Sequence, residues 1–141
     1  LILYKDLIFE ETHIVLQKGR ISKNTPTLVR VQQSNLYHDL LNIDEFGTRW
    51  SVSDAMKKIN KAGNGIILLI DGDNNKENEF KEIRASKKKR KTIPNNDPRR
   101  IGIGSQILRD LGVKKIKLMG SEVRYPSLSG FDLEVTEYIK K

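Results

Sequence analysis

The side chains with the greatest chemical reach are few. The chain has no cysteine and two histidines, His13 and His38. A thiolate-held zinc and a cysteine nucleophile are therefore excluded, because both need the sulfur. His38 and Asp39 are adjacent and could touch a metal, but a catalytic zinc needs three protein ligands and an open position. No complete ligand set accompanies the pair, so a structural or solvated role accounts for both. Gly102 and Gly104 stand at a helix start, as in a phosphate-binding loop, and close helix packing explains them as well. Asp97 and Arg99 flank Pro98, where a turn cap and a surface charge are the plain readings. The run Lys87-Lys88-Lys89-Arg90-Lys91 attracts polyanions in general. Like-charge blocks are usually solvated loops, and no aromatic residue interleaves with this one for base stacking. Nucleic acid is thus an unfavoured partner.

These residues need elements to position them. Apolar residues at Ile2, Leu3, Leu7, Ile8 and Phe9, then His13 to Leu16, predict two strands of a hairpin or meander. Gly19 and the polar stretch from Ser22 to Pro26 predict a loop, and Leu28 to Gln32 alternates as a strand does. Val52, Ala55, Met56 and Ile59 recur at helical spacing, with Ser51 or Ser53 as N-cap and Gly63 as the stop. Ile103, Ile107, Leu108 and Leu111 repeat that pattern and end at Gly112. Each helix leads into a short apolar run, Ile66 to Ile70 and Ile116 to Met119, and the chain closes on an alternating strand from Leu133 to Ile139. Helix, glycine, strand, twice over, predicts an α/β fold: a mixed β-sheet with helices packed on it. Residues 34–50 carry apolar residues without a clear period. Residues 71–99 are poor in them and predict a basic loop, with a short helix near Glu79 to Ala85.

Composition sets the frame. At 141 residues the chain suits one domain spanning 1–141, and the Leu at position 1 suggests a fragment of something longer. Hydrophobic residues make up 37% and charged residues 31%, which implies a real core beside a solvated stretch. The net charge of +8 is concentrated around the 87–91 block. No apolar run approaches the roughly 20 residues of a membrane span, and no signal-peptide pattern is present. Lack of cysteine fits a reducing compartment, so a cytoplasmic location is expected.

The stretch from Arg99 to Met119, containing Ile101-Gly102-Ile103-Gly104-Ser105-Gln106-Ile107-Leu108-Arg109-Asp110-Leu111-Gly112-Val113, resembles the C-terminal signature of the GTP cyclohydrolase II family of riboflavin biosynthesis. Leu128-Ser129-Gly130-Phe131-Asp132-Leu133-Glu134-Val135 is similar to that family's L-x-G-Y-G-L-E-V. His13 to Gly19 resembles its H-V-A-L-V-K-G, and Leu28 to Val31 its L-V-R-V-H. The likeness runs in order over nearly the whole chain and implies the GTP cyclohydrolase II-like fold.

The resemblance also implies where chemistry is missing. The family binds zinc through three cysteines in V-H-S-E-C-L-T-G-D and R-C-D-C-G. Here Asn35 stands at the first such position, and Ser51 and Ser53 fall near the other two. Hydroxyl and amide oxygens are poor zinc ligands beside thiolate, so no metal or cofactor is expected. The family's Q-E-G-R-G-I-G-L, which helps hold triphosphate, is replaced after Ile70 by Asp71-Gly72-Asp73, placing acids where phosphates would lie. Met119-Gly120-Ser121-Glu122 replaces T-N-N-P near the purine site. Retained are Asp97 and Arg99, at positions that serve proton transfer and attack on the α-phosphate, and Arg30, at a triphosphate-contacting, nucleotide-binding position.

The expectation is a degenerate cyclohydrolase-like domain with a structural or regulatory role beside an N-terminal 3,4-dihydroxy-2-butanone 4-phosphate synthase domain. Partners implied are that synthase domain, a second copy in a homodimer, and GTP or another phosphorylated metabolite. Two rival readings are a hydrolase using Asp97 and Arg99, and a polyanion-binding module built on Lys87 to Lys91.

Overall fold

The computed structural model describes residues 1–8, 10–33, 50–71, 98–120 and 130–141, with 98–100 described in backbone alone. Six strands and two helices follow in the order β1 (Ile2–Lys5), β2 (Thr12–Lys18), β3 (Thr27–Gln33), α1 (Val52–Ala62), β4 (Gly65–Ile70), α2 (Pro98–Asp110), β5 (Lys115–Met119) and β6 (Glu134–Ile139). The strands form one sheet in the order β1-β2-β4-β3-β5-β6. β2 runs antiparallel to both β1 and β4, whereas β4, β3, β5 and β6 are mutually parallel. The expected α/β class with a mixed sheet is what the chain forms.

Period-two alternation sorts the central strands onto two faces. Ile66, Leu68 and Ile70 of β4 join Val29 of β3, Val15 of β2 and Ile116 of β5 under Ile107 and Leu108 of α2. Ile67, between them, faces the other way with Leu28 and Met119, against Ala55 and Ile59 of α1 and the ring of Trp50. One helix covers each face, so β4 and β3 are buried on both sides and read as continuous apolar runs. Full burial of an isoleucine such as Ile67 stabilises by about 1.5–3 kcal/mol.

Local chemistry fixes the ends of α1. Ser51 is extended at φ −77° and ψ 162°, and its Oγ accepts the Asp54 N–H at 3.1 Å. Asp54 in the first turn and Lys61 in the last complement the helix dipole. Gly63 takes the left-handed conformation at φ 85° and donates its N–H to Ile59 O, as a glycine stop does. The apolar stripe is narrower than its spacing predicts. Ala55 and Ile59 are buried, but Met56 is 52% exposed because it falls at the stripe's edge, beyond the sheet.

α2 starts at Pro98, five positions before its first periodic residue, Ile103. Proline at the first helical position costs no hydrogen bond, because that N–H has no partner within the helix. The expected loop over 71–99 therefore gives up Pro98 and Arg99 to helix. Gly104 lets α2 approach the sheet closely. A Cβ there would lie 3.2 Å from Ile70 Cδ1 and 3.8 Å from Val31 Cγ1.

The first two strands form the expected antiparallel pair. β1 is an edge strand, and Leu1, Leu3, Leu7 and Ile8 around it stay 61–85% exposed. Among the described residues no helix is long and apolar enough to cross a membrane.

Candidate functional site

The connections place a site before any side chain does. β3 leads through α1 to β4 on one side, and β4 leads through α2 to β5 on the other side of β3. The direction of winding thus reverses between β3 and β5. In open α/β sheets, ligands bind at the carboxyl ends of the strands at such a reversal. Strands β3, β4 and β5 all end there, at Gln33, Ile70 and Met119.

Arg30 stands at that point. It lies on β3 one residue beyond the Val29–Leu118 pair, level with Met119 at the end of β5. Its Nη1 donates to Met119 O at 2.8 Å, its Nη2 to Trp50 O at 3.4 Å, and its Nε to Gln32 Oε1 at 3.0 Å. Trp50 directly precedes the Ser51 cap, and its indole Nε1 donates to Ile139 O of β6 at 3.2 Å. Lys141 then pairs with Asp54 at 3.0 Å. The guanidinium therefore ties β3, the end of β5 and the entry to α1 together, while Trp50 and Lys141 bring in the end of the chain. Asp54 feels this directly: the Lys141 ammonium, then the Ser51 hydrogen bond, hold its carboxyl below the usual 3.8.

A second polar group lies at the carboxyl end of β4. One ligand-type atom each from Asp6, Glu11 and His13 lie within 4.8 Å of one another. His13 is 1% exposed; its Nδ1 accepts the Asp71 N–H at 3.1 Å, and its Nε2 has no hydrogen-bond partner among the described residues. With Nδ1 as acceptor, the neutral ring carries its proton on Nε2. A metal-binding histidine has the reverse polarity, its second nitrogen donating to a backbone or carboxylate oxygen. The ring is set to donate toward an acceptor rather than to hold a cation. Sequence reasoning saw His13 only within a strand motif. The available signal was parity: Glu11 and His13 point to one face of β2, and Tyr4, paired with His13, brings Asp6 onto the same face.

The expected site residues divide as follows. Arg30 is at the switch point. Arg99 lies in the first turn of α2, the helix on the opposite face. Asp97, Asn35, His38, Asp39, the Lys87 to Lys91 block and the Glu79 to Ala85 helix lie outside the described residues. The residues described do not suit the zinc that the resemblance implies. Ser51 is 5% exposed with its Oγ engaged by the Asp54 N–H, Ser53 is exposed, and neither offers a thiolate. Gly102 and Gly104 sit inside α2 rather than in a loop before it.

Sheet and switch point together define an open-sheet α/β protein with a candidate site at strand carboxyl ends. The chain belongs to the GTP cyclohydrolase II family, whose model matches residues 1–140. It is 38% identical over 149 residues to a 3,4-dihydroxy-2-butanone 4-phosphate synthase of Pseudomonas aeruginosa, covering 99% of this chain and 38% of that protein. It is 33% identical over 148 residues to the riboflavin biosynthesis protein RibBA of Aquifex aeolicus, covering 96% of this chain and 36% of the relative. Among solved structures it resembles RibBX of A. baumannii, described as a two-domain 3,4-dihydroxy-2-butanone 4-phosphate synthase. That match has a TM-score of 0.51 and 31% identity, over 91% of this chain and 31% of the other. The chain thus spans well under half the length of these relatives.

Proposed function

We propose that this chain is a GTP cyclohydrolase II-like domain without zinc-dependent GTP hydrolysis, acting structurally or in regulation beside a dihydroxybutanone phosphate synthase domain. One observation carries the reading. The position where a metal ligand is expected, Ser51, is a buried helix cap in a chain with no cysteine at all. Acid, base and metal act as one unit in such a hydrolase, so Asp97 and Arg99 without the metal leave little of it. The names of the relatives agree in direction: the Pseudomonas aeruginosa protein is named for the synthase alone, and the RibBX structure is described as having two domains. The same reading keeps a phosphorylated metabolite as a ligand that binds without turnover.

The test is formate release from GTP with added zinc. No release above the buffer rate is expected, and turnover at ordinary enzyme rates, on the order of 1 per second or more, overturns the reading. Calorimetry with GTP and with ribulose 5-phosphate then asks which, if either, still binds.

A further inference from the structure

Arg30 occupies the place where an open α/β sheet usually receives its ligand, and its bonds show what it does there. Nε, Nη1 and Nη2 each donate to an oxygen of this chain: an amide side chain and two main-chain carbonyls. The acceptors of these three bonds are all neutral. The two carbonyls belong to residues 20 and 89 positions away in sequence, Trp50 and Met119. Gly120 adds to the enclosure, since a Cβ there would lie 3.4 Å from Nη1.

From this geometry we propose that Arg30 is a built-in clamp that closes the switch point from within, and that it takes over the cross-linking a bound metal or triphosphate would otherwise supply there. A planar fork can bridge two carbonyls and an amide at once, and a point-charge ammonium cannot. The bridge fixes the entry to α1 against the ends of β3 and β5, and Trp50 carries the fixation on to β6 through Ile139. Removing the guanidinium takes a donor from each of two main-chain carbonyls in part-buried bonds, and a buried acceptor left unsatisfied costs more than the contact itself. The clamp makes the domain's rigidity independent of any ligand. The inference rests on the reading of a crevice without GTP chemistry, but its own test does not use GTP turnover.

Trp50 is the chain's single tryptophan and is 8% exposed, so its emission reports this corner alone. The experiment compares the wild-type chain with Arg30→Lys and Arg30→Met, by Trp50 fluorescence and thermal unfolding, with and without inorganic tripolyphosphate at matched ionic strength and with and without a chelator. The clamp predicts red-shifted Trp50 emission and a Tm lower by about 5 °C or more in Arg30→Lys. It also predicts a wild-type Tm that neither tripolyphosphate nor chelator moves. Should Arg30→Met fail to fold while Arg30→Lys folds with lowered Tm, the clamp stands. An Arg30→Lys protein with wild-type emission and Tm overturns it. So does a wild-type Tm raised by tripolyphosphate and not raised in Arg30→Lys, which would show the guanidinium serving phosphate. Formate release measured separately leaves these outcomes untouched, so the two readings fail independently.

Discussion

Tyr4 and Asp110, 106 residues apart in sequence, meet in a 2.6 Å hydrogen bond between phenol and carboxylate. The bond joins the edge strand β1 to the last turn of α2. Burial first, then the Asp110 hydrogen bond and charge, push the phenol up from 10.0 to about 12. A group whose pKa rises on folding stabilises while it stays protonated. Its contribution is therefore complete below pH about 10 and is lost as pH climbs toward 12. An ultraviolet phenolate titration should show a late-titrating component from Tyr4. It should vanish in Tyr4→Phe and move back toward 10 in Asp110→Asn; an unchanged profile in both variants would contradict the assignment.

Asp54 supplies the opposite sign. Its carboxyl is held below 3.8, chiefly by Lys141, so its stabilisation is present above that value and is lost as pH falls below it. Lys141→Ala should bring the Asp54 titration, followed by carboxyl NMR, up toward its ordinary value. It should also flatten the acid side of the stability curve. A titration that does not move would mean the ion pair is not formed in solution.

The cap of α1 is open to a direct measurement. Ser51→Ala removes the oxygen that accepts the Asp54 N–H and should cost about 1 kcal/mol in denaturant unfolding, within a range of roughly 0.5–2 kcal/mol. Ser53→Ala, at an exposed position, should stay within about 0.5 kcal/mol of wild type. Equal losses would show that the cap has been assigned to the wrong serine.

The two glycines of α2 should behave in opposite ways. At Gly102 an added Cβ meets nothing within 4 Å, so Gly102→Ala should stabilise by about 0.5–1 kcal/mol through helix propensity. At Gly104 the added Cβ presses on Ile70 at 3.2 Å, and the further methyls of Gly104→Val should cost about 1–3 kcal/mol by overpacking. A destabilised Gly102→Ala would revive a role for that glycine outside the helix.

What the sequence made legible was local. A serine cap at Ser51 or Ser53, the i, i+3, i+4 stripe and the Gly63 stop located α1 to within a couple of residues, because capping and periodicity are set by neighbours in the chain. Val-, Ile- and Leu-rich runs located the strands for the same reason. The start of α2 was not legible, because Pro98 to Gly102 lies ahead of the stripe that touches the sheet. Nor was β2's place between β1 and β4, since pairing partners are chosen by packing across the whole sheet. Arg30 was recognised by position, but its acceptors, 20 and 89 residues away, leave no trace in local pattern. The exposure of Leu3 and Leu7 was hidden likewise, since an apolar strand at an edge reads the same as one inside.

The parallel strands β3, β4 and β5 end on one rim, at Gln33, Ile70 and Met119, while both apolar clusters lie behind it, under α1 and α2. Inheritance can therefore act on the two parts separately. Lengthening a surface connection twofold costs only about 0.6 kcal/mol in closure entropy, far less than one hole in the core. A lineage could rewrite the rim residue by residue, erase a reaction, and keep the same architecture as a platform for something else.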